Sequence, residues 1–222
     1  MRETLGMPAS ATDAVTRELE AALPARDEVE GTRGRILRAA LVLFATRGYH
    51  ASSIRDIATE AGLGSASLYS HFSSKESILA ELVFIGHDEH QRRLMTALLG
   101  AGPRPRDQLA ALVRAHVLSH TEFPVLALVA NRGIRDLSPG AAAASVALSN
   151  HSSALLTEVL ERGVRMDGFV VDNELVVSGV IATMGSSVAS WWPSRSDLIS
   201  AEELADGHAT LALRMVGISP DA

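Results

Sequence analysis

Residues 32–76 read TRGRILRAALVLFATRGYHASSIRDIATEAGLGSASLYSHFSSKE. Ile36, Ala39, Ala40, Leu43 and Phe44 recur at helical spacing and form one apolar face. Thr32 is placed to cap this helix and Gly48 to end it. Ser53 and Asp56 have capping-box spacing and open a second helix, whose inner side is Ile57, Ala58 and Ala61 and which Gly62 stops. Leu63 fills the space under the turn. A third helix is expected from Gly64 to His71. Ser73 and Glu76 then give another capping box for a long helix that reaches about Leu99. In the third helix Leu68 and Phe72, four apart, anchor one face, while Ser65, Ala66, Ser67, Ser70 and His71 are small or polar. This is the layout of a helix-turn-helix, whose last helix is held out to enter the major groove of DNA.

The charge distribution agrees. The chain carries net −6, but residues 31–80 hold five Arg, one Lys and three acids. Residues 1–30 hold three Arg against seven acids, and residues 81–222 eleven Arg against sixteen acids. The one basic segment is therefore the helix-turn-helix segment, as expected of a small DNA-reading head on an acidic protein. Hydroxyls of a recognition helix can bond phosphates or bases. The Tyr69 hydroxyl can reach the backbone, and Lys75, the one lysine of the chain, starts a helix whose free N–H groups suit a phosphate. Taken singly, Tyr69 reads more readily as a half-buried core aromatic and Lys75 as a solvated charge; together, at these spacings, the set points to DNA. Arg33 and Arg35 precede or open the first helix and reach either the DNA backbone or minor groove, or solvent. The DNA-facing set is thus Arg33, Ser53, Ser65, Ala66, Ser67, Tyr69, Ser70, His71 and Lys75.

Around this head the chain reads as all-α. Residues 1–30 form an extension, disordered or loosely helical over 12–23 between Pro8 and Pro24. The head occupies 31–77, and a larger helical domain for ligand binding and dimerisation occupies 78–222. After Gly100, helices are expected over about 106–120, 122–136, 140–166, 172–192 and 201–216, punctuated by prolines. Apolar residues are 47 % of the chain, enough for a core, while aromatics are 4 %. The absence of Cys excludes disulfides and thiolate metal sites. There is no signal-peptide pattern, and charges or polar groups interrupt the apolar stretches before membrane-spanning length. A cytoplasmic protein with no membrane partner is expected. P-loop, dinucleotide-binding and nucleophile-elbow motifs are missing, so an enzyme is not expected. An all-α adaptor that binds only protein is the alternative; it has no need of a basic head with a small, polar third helix.

In the larger domain Gly179, Ala182, Ser186 and Ala189 form a stripe of small residues that lets another helix approach. Leu204, His208, Leu211, Ala212 and Met215 form an apolar face. Two such helices from each of two chains can build a four-helix dimer interface, for which Gly179, Ala182, Ser186, Ala189, Leu204, His208, Leu211 and Met215 are the candidates. Packing within one chain is the other reading. Candidates for an apolar ligand cavity are Val83, Phe84, Leu112, Val113, Leu126, Val129, Leu148, Leu155 and Met184, with His87, His116, His120, Asn131 and His151 as polar groups to fix a headgroup. His116 and His120 stand at i,i+4 and His87 and His90 at i,i+3, spacings that suit a metal. The sequence marks no third ligand, so neither metal nor cofactor is expected.

The head segment resembles the DNA-binding head of the TetR family of transcriptional regulators. The matching residues are Ile36, Ala39, Phe44, Gly48, Tyr49, Ile54, Ile57, Ala58, Ala61, Gly62, Leu68, Tyr69, Phe72, Lys75 and Glu76. The resemblance implies nine helices, a two-fold dimer and a pseudo-palindromic DNA operator. It also implies a C-terminal pocket for a small-molecule effector whose occupancy releases DNA, repression being the usual mode. DNA contact by Ser65, Ser67, Tyr69 and Lys75 follows from the same resemblance. Gly64 departs from a common capping Ser or Thr, and Ser70 from a bulkier residue. The turn from Gly163 to Phe169 and the Trp-Trp-Pro ending at Pro193 resemble members that sense acyl-CoA esters, which makes a hydrophobic or acyl-CoA-like effector the expectation.

Overall fold

The computed structural model describes residues 22–26 and 29–218. Its elements are α1 (Gly31–Thr46), α2 (Ile54–Glu60), α3 (Ser65–Tyr69), α4 (Lys75–Gly100), α5 (Pro105–Glu122), α6 (Pro124–Gly133), α7 (Pro139–Met166), α8 (Glu174–Ser186), α9 (Val188–Trp191) and α10 (Ala201–Met215). Short 3₁₀ turns follow α6 and α9. Among the described residues there is no strand. Phe169–Val171, a short run of strand-favouring residues, lies along the end of α10, where Val170 N–H donates to Val216 O. The tenth helical segment arises because Ser187, itself helical in φ and ψ, interrupts the helix expected over 172–192.

Local chemistry sets most of the ends. Ser53 caps α2 reciprocally with Asp56, as expected. Gly48 and Gly62 both take positive φ, the conformation that suits a glycine after a helix. Two expected caps differ. α1 starts at Gly31 rather than after Thr32, with no side-chain cap. α4 is capped by Ser74 with Ser77 instead of Ser73 with Glu76. The one-residue shift frees the Glu76 carboxylate to accept the backbone N–H of Ser138, the N-cap residue of α7. A carboxylate at a helix N-terminus is favoured by the unpaired N–H groups and the dipole there, and this bond holds Glu76 below the usual carboxylate range.

The head core consists of Ile36, Leu37, Leu41, Ile57, Leu68 and Phe72 packed on Ile78, Leu79 and Leu82 of α4. It continues without a break into Leu126 and Val129 of α6 and Ala142 of α7. α4, with 26 residues, runs about 39 Å and belongs to both halves of the molecule. A second core unites α5, α7, α8 and α10 through Leu109, Leu112, Leu160, Ile181 and Ala212. Phe169 plugs the end of α7: a side chain at Gly163 would begin 2.0 Å from its ring. Beside it, Asp167 bonds the backbone N–H of Arg106 and pairs with the Arg106 guanidinium, capping α5 from outside.

Two expectations change here. The part of the N-terminal extension that is described is packed: Val29 is buried, and Arg26 pairs with Asp88 at 2.6 Å and Glu89 at 3.0 Å on α4. The expected helical stretch over 12–23 lies, through residue 21, outside the described residues. Secondly, Glu174–Arg195 is long and apolar enough to cross a membrane by length and composition, with a mean hydropathy of 1.3. In the fold it breaks at Ser187 and buries Ser178, Ile181 and Gly185 against the rest of the domain.

Candidate nucleic-acid interface and internal cavity

α3 presents the face that its pattern foretold. Leu68 and Phe72 are buried, and Ala66, Ser67, Tyr69, Ser70 and His71 are exposed, Tyr69 to 55 %. Ser65 is half-buried at the first turn. Gly64 supplies no side-chain cap, so the short helix is held mainly by Leu68 and Phe72. Ser70 Oγ donates to Ser67 O at 2.7 Å, which leaves its lone pairs outward. Ser53 is exposed at the start of α2.

Two cations of the expected DNA-facing set are used inside the head instead. Lys75 Nζ donates to Tyr49 O at 2.7 Å and Ser52 O at 2.8 Å, and lies 4.1 Å from the Tyr49 ring centroid. Two of its three donors thus clamp the loop between α1 and α2, whose carbonyls have no helical partner there. Arg33 pairs with Glu81 through two nitrogens, donates to His71 O at 2.9 Å and stacks on Phe72 at 4.2 Å. It therefore fixes the end of α3 to α4. Within the head, the exposed cations that make no ion pair among the described residues are Arg35, Arg47 and Arg55. Arg55 follows the Ser53 cap, and Arg47 lies close enough to Asp56 to lower its pKa behind the larger effect of Ser53. Arg47 and Arg55 were legible as cations flanking a helix start, and the sequence reading passed them over.

In the larger domain α4, α5, α6, α7 and α8 enclose a cavity of about 420 Å³. Of the expected lining, His87, Leu112, Val113, His116, His120, Leu126 and Asn131 are present. Val83 and Val129 instead complete the head core, and Leu155 the second core. Phe84 faces outward, His151 is exposed on α7, and Leu148 and Met184 do not line the cavity. All seven are apolar or amphipathic residues at helical spacing, and periodicity does not say which inward face meets a void. The sequence reading missed Leu94, Ser119, Phe123 and Ser152 as lining, and it placed His90 only in a histidine pair.

The small-residue stripe of α8 has a different use from the one expected. Gly179, Ala182 and Ser186 line the cavity. Ala189 and Leu204 are buried within the chain, and His208 is buried with its Nδ1 donating to Leu204 O at 2.8 Å. Leu211 and Met215 remain exposed, together with Val176 and Val180 on the adjoining α8. That apolar surface is an unpartnered strip along two neighbouring helices.

At the inner end of the cavity three histidines meet. His90 Nε2 lies 2.7 Å from His116 Nδ1, and the His116 and His120 ring centroids are 4.6 Å apart. Burial pushes the His116 imidazole down to about 3, with the neighbouring His120 acting the same way. Burial likewise lowers His90 well below its ordinary value and lowers His120. The set is held as neutral imidazoles.

Comparison with known proteins agrees with this geometry. Residues 36–82 match the family model of bacterial regulatory proteins of the tetR family, and residues 102–216 match the tetracyclin repressor-like C-terminal domain. The chain is 30 % identical over 202 residues to the HTH-type transcriptional repressor KstR2 of Rhodococcus jostii, covering 86 % of this chain and 95 % of that protein. It superposes on a tetR-family regulatory protein from Rhodococcus RHA1 with a TM-score of 0.79 at 27 % identity, over 86 % of this chain and 99 % of that one. The fold is shared with AibR, solved in complex with isovaleryl coenzyme A and operator DNA, at a TM-score of 0.73 and 20 % identity over 82 % of this chain and 97 % of that one. A helix-turn-helix head with an exposed polar third helix, joined by α4 to a hollow helical domain, together with family matches to both parts, makes this chain a member of the TetR family of DNA-binding transcriptional regulators, and not an enzyme.

Proposed function

We propose that the chain is a dimeric repressor that binds a palindromic operator and is released by a small effector, and that it acts in the cytoplasm, where the DNA is. The observation that carries this reading is the placement of α4. Its first three turns close the head core and hold the recognition helix, and His87, His90 and Leu94 further along line the cavity. Head 31–77 and domain 78–222 act as units joined by this helix. An effector that fits the cavity better in one setting of α4 than in the other shifts the spacing of the two heads, and only that differential affinity can change DNA binding.

In this reading Ser65, Ala66, Ser67, Tyr69, Ser70 and His71 meet the major groove. Ser53, Arg47 and Arg55 meet phosphates beside it, and Arg33 and Lys75 stiffen the head that presents them. Dimerisation uses Val176, Val180, Leu211 and Met215. A cavity of about 420 Å³ with a mostly apolar wall takes a drug-sized molecule or the acyl part of a thioester, the coenzyme projecting outside. AibR, which shares the fold, was solved with an acyl-CoA bound, and this supports the acyl-CoA class.

The test is selection of bound duplexes from a random pool by the purified protein, followed by release assays with a panel of acyl-CoA esters. Recovery of a palindrome, released by one class of ester, is expected. A folded protein that enriches no motif, and whose retention of DNA is unchanged by Ser67→Ala with Tyr69→Ala, would sink the DNA-reading assignment.

A further inference from the structure

We infer that His90, His116 and His120 form a site for a divalent transition metal of the zinc class, held by three imidazoles with its remaining coordination position open to the cavity. Their ligand atoms lie within 4.8 Å of one another. The inference deepens the reading of the cavity as an effector site, though the metal site itself is defined without DNA.

Hydrogen bonding determines which ring nitrogens are free. His116 Nε2 lies 2.9 Å from Ala182 O, and a carbonyl only accepts, so Nε2 carries the proton and Nδ1 keeps its lone pair. His120 Nδ1 lies 2.8 Å from His116 O, which by the same argument leaves the lone pair on Nε2; there the Asn131 amide donates over 3.4 Å, a long contact that an ion would displace. Metal-binding histidines commonly donate their other N–H to a carbonyl, which fixes the tautomer and aims the ring. Here two of the three are already fixed in this way. His90 Nε2 at present shares its proton with His116 Nδ1. On metal binding that proton moves through solvent to His90 Nδ1, and the ion takes its place.

The spacing requires only a small adjustment. Tetrahedral zinc with bonds of about 2.0–2.1 Å sets its nitrogens about 3.3 Å apart. The 2.7 Å pair must open by roughly half an ångström and the wider pairs must close, changes that imidazole rotation supplies. Gly185 on α8 makes room for this arrangement, since a Cβ there would begin 2.2 Å from His116 Cδ2.

The type of ion follows from the ligands. Three neutral imidazoles suit Zn²⁺ and Co²⁺ and do not suit Mg²⁺ or Ca²⁺, which require oxygen. Glu89 lines the same cavity, but Arg26, Arg92 and Arg93 hold its carboxylate. It is not free to neutralise the ion. The bound ion would therefore keep its positive charge and present it to the cavity, where it attracts a carboxylate or another oxygen donor.

The experiment is a Co²⁺ titration of chelator-treated, full-length protein without DNA, followed by visible d–d absorption. One Co²⁺ per chain with bands of a nitrogen-ligated four- or five-coordinate ion is expected. His120→Gln and His90→Gln should weaken binding at least about 100-fold, more than loss of a group that merely supports a ligand, whereas His151→Gln on the outer surface of α7 should bind as wild type does. Because a substituted imidazole cluster can disturb folding, X-ray absorption of the zinc-loaded wild type provides a second measure, with three imidazole shells expected. Absence of Co²⁺ binding, equal binding by all variants, or fewer than three imidazole shells overturns the site. If acyl-CoA still releases DNA from protein that binds no metal, the metal site alone falls and the effector reading stands.

Discussion

Replacing Lys75 by methionine separates the two uses open to the one lysine of the chain. The structure commits its ammonium to Tyr49 O and Ser52 O and to the face of the Tyr49 ring. Methionine keeps most of the stem and removes the charge. Each half-exposed, charge-assisted bond contributes about 1 kcal/mol net, because the freed carbonyls regain water. The cation–π contact adds about 0.5–1 kcal/mol. The loss of about 2.5–3 kcal/mol corresponds, at about 2–4 °C per kcal/mol for a chain of this size, to melting roughly 5–12 °C lower. Salt dependence separates this role from a phosphate contact. Each phosphate neutralised adds about 0.9 to the slope of log affinity against log salt, so one such contact per protomer would remove about 1.8 from the slope of a dimer. A clamp predicts weaker binding with a slope changed by less than about 0.5. The assay is fluorescence anisotropy on a selected duplex across a salt series, at a temperature where both proteins are folded, beside thermal melts without DNA. An unchanged melting temperature together with a slope shallower by about 1.8 would refute the clamp.

Three further outcomes follow from the same geometry. Leu211→Asp with Met215→Asp should yield monomers by sedimentation and lower operator affinity on the order of 100-fold or more, as a single head holds one half-site; an intact dimer would place the interface elsewhere. Gly185→Ala drives a methyl group to within 2.2 Å of the His116 ring and should cost about 1–3 kcal/mol, read as a lower urea midpoint with an unchanged DNA salt slope. For pH, His116 is depressed to about 3 in the folded chain, from an ordinary value of 6.5. Below about pH 6.5 the unfolded chain takes up a proton that the folded chain refuses, so stability is full above that pH and falls by about 1.4 kcal/mol per unit toward pH 3. His90, His120 and His208 face the same group. Urea titrations at pH 7 and pH 5.5 should therefore show a smaller drop for His116→Gln than for wild type, and an equal drop would contradict the burial argument.

Much of the head was legible because its determinants are local. The Ser53–Asp56 box spans three residues, Leu68 and Phe72 four, and the glycines that end α1 and α2 act on their own φ angles. Local rules also set the helices that follow, apart from the break at Ser187. They identify an inward face, but they do not show whether it meets a neighbour or a void. That is why Val83 and Val129, expected in the cavity, belong to the head core, and why the small-residue stripe of α8, expected against a partner, lines the cavity.

By itself, the sequence determined an all-α chain with a helix-turn-helix head, the buried and exposed sides of the recognition helix, and the family. Tertiary structure alone decided which charged and polar groups are available. Lys75 finds its carbonyls 23 and 26 residues away, Arg33 its carboxylate 48 away and Glu76 its helix end 62 away. His90 meets His116 across 26 residues and so supplies the third imidazole that no spacing within one helix marked. Helices are written in contacts three and four residues apart, whereas a cavity and the bonds that use up a side chain's donors depend on how separate helices are brought together.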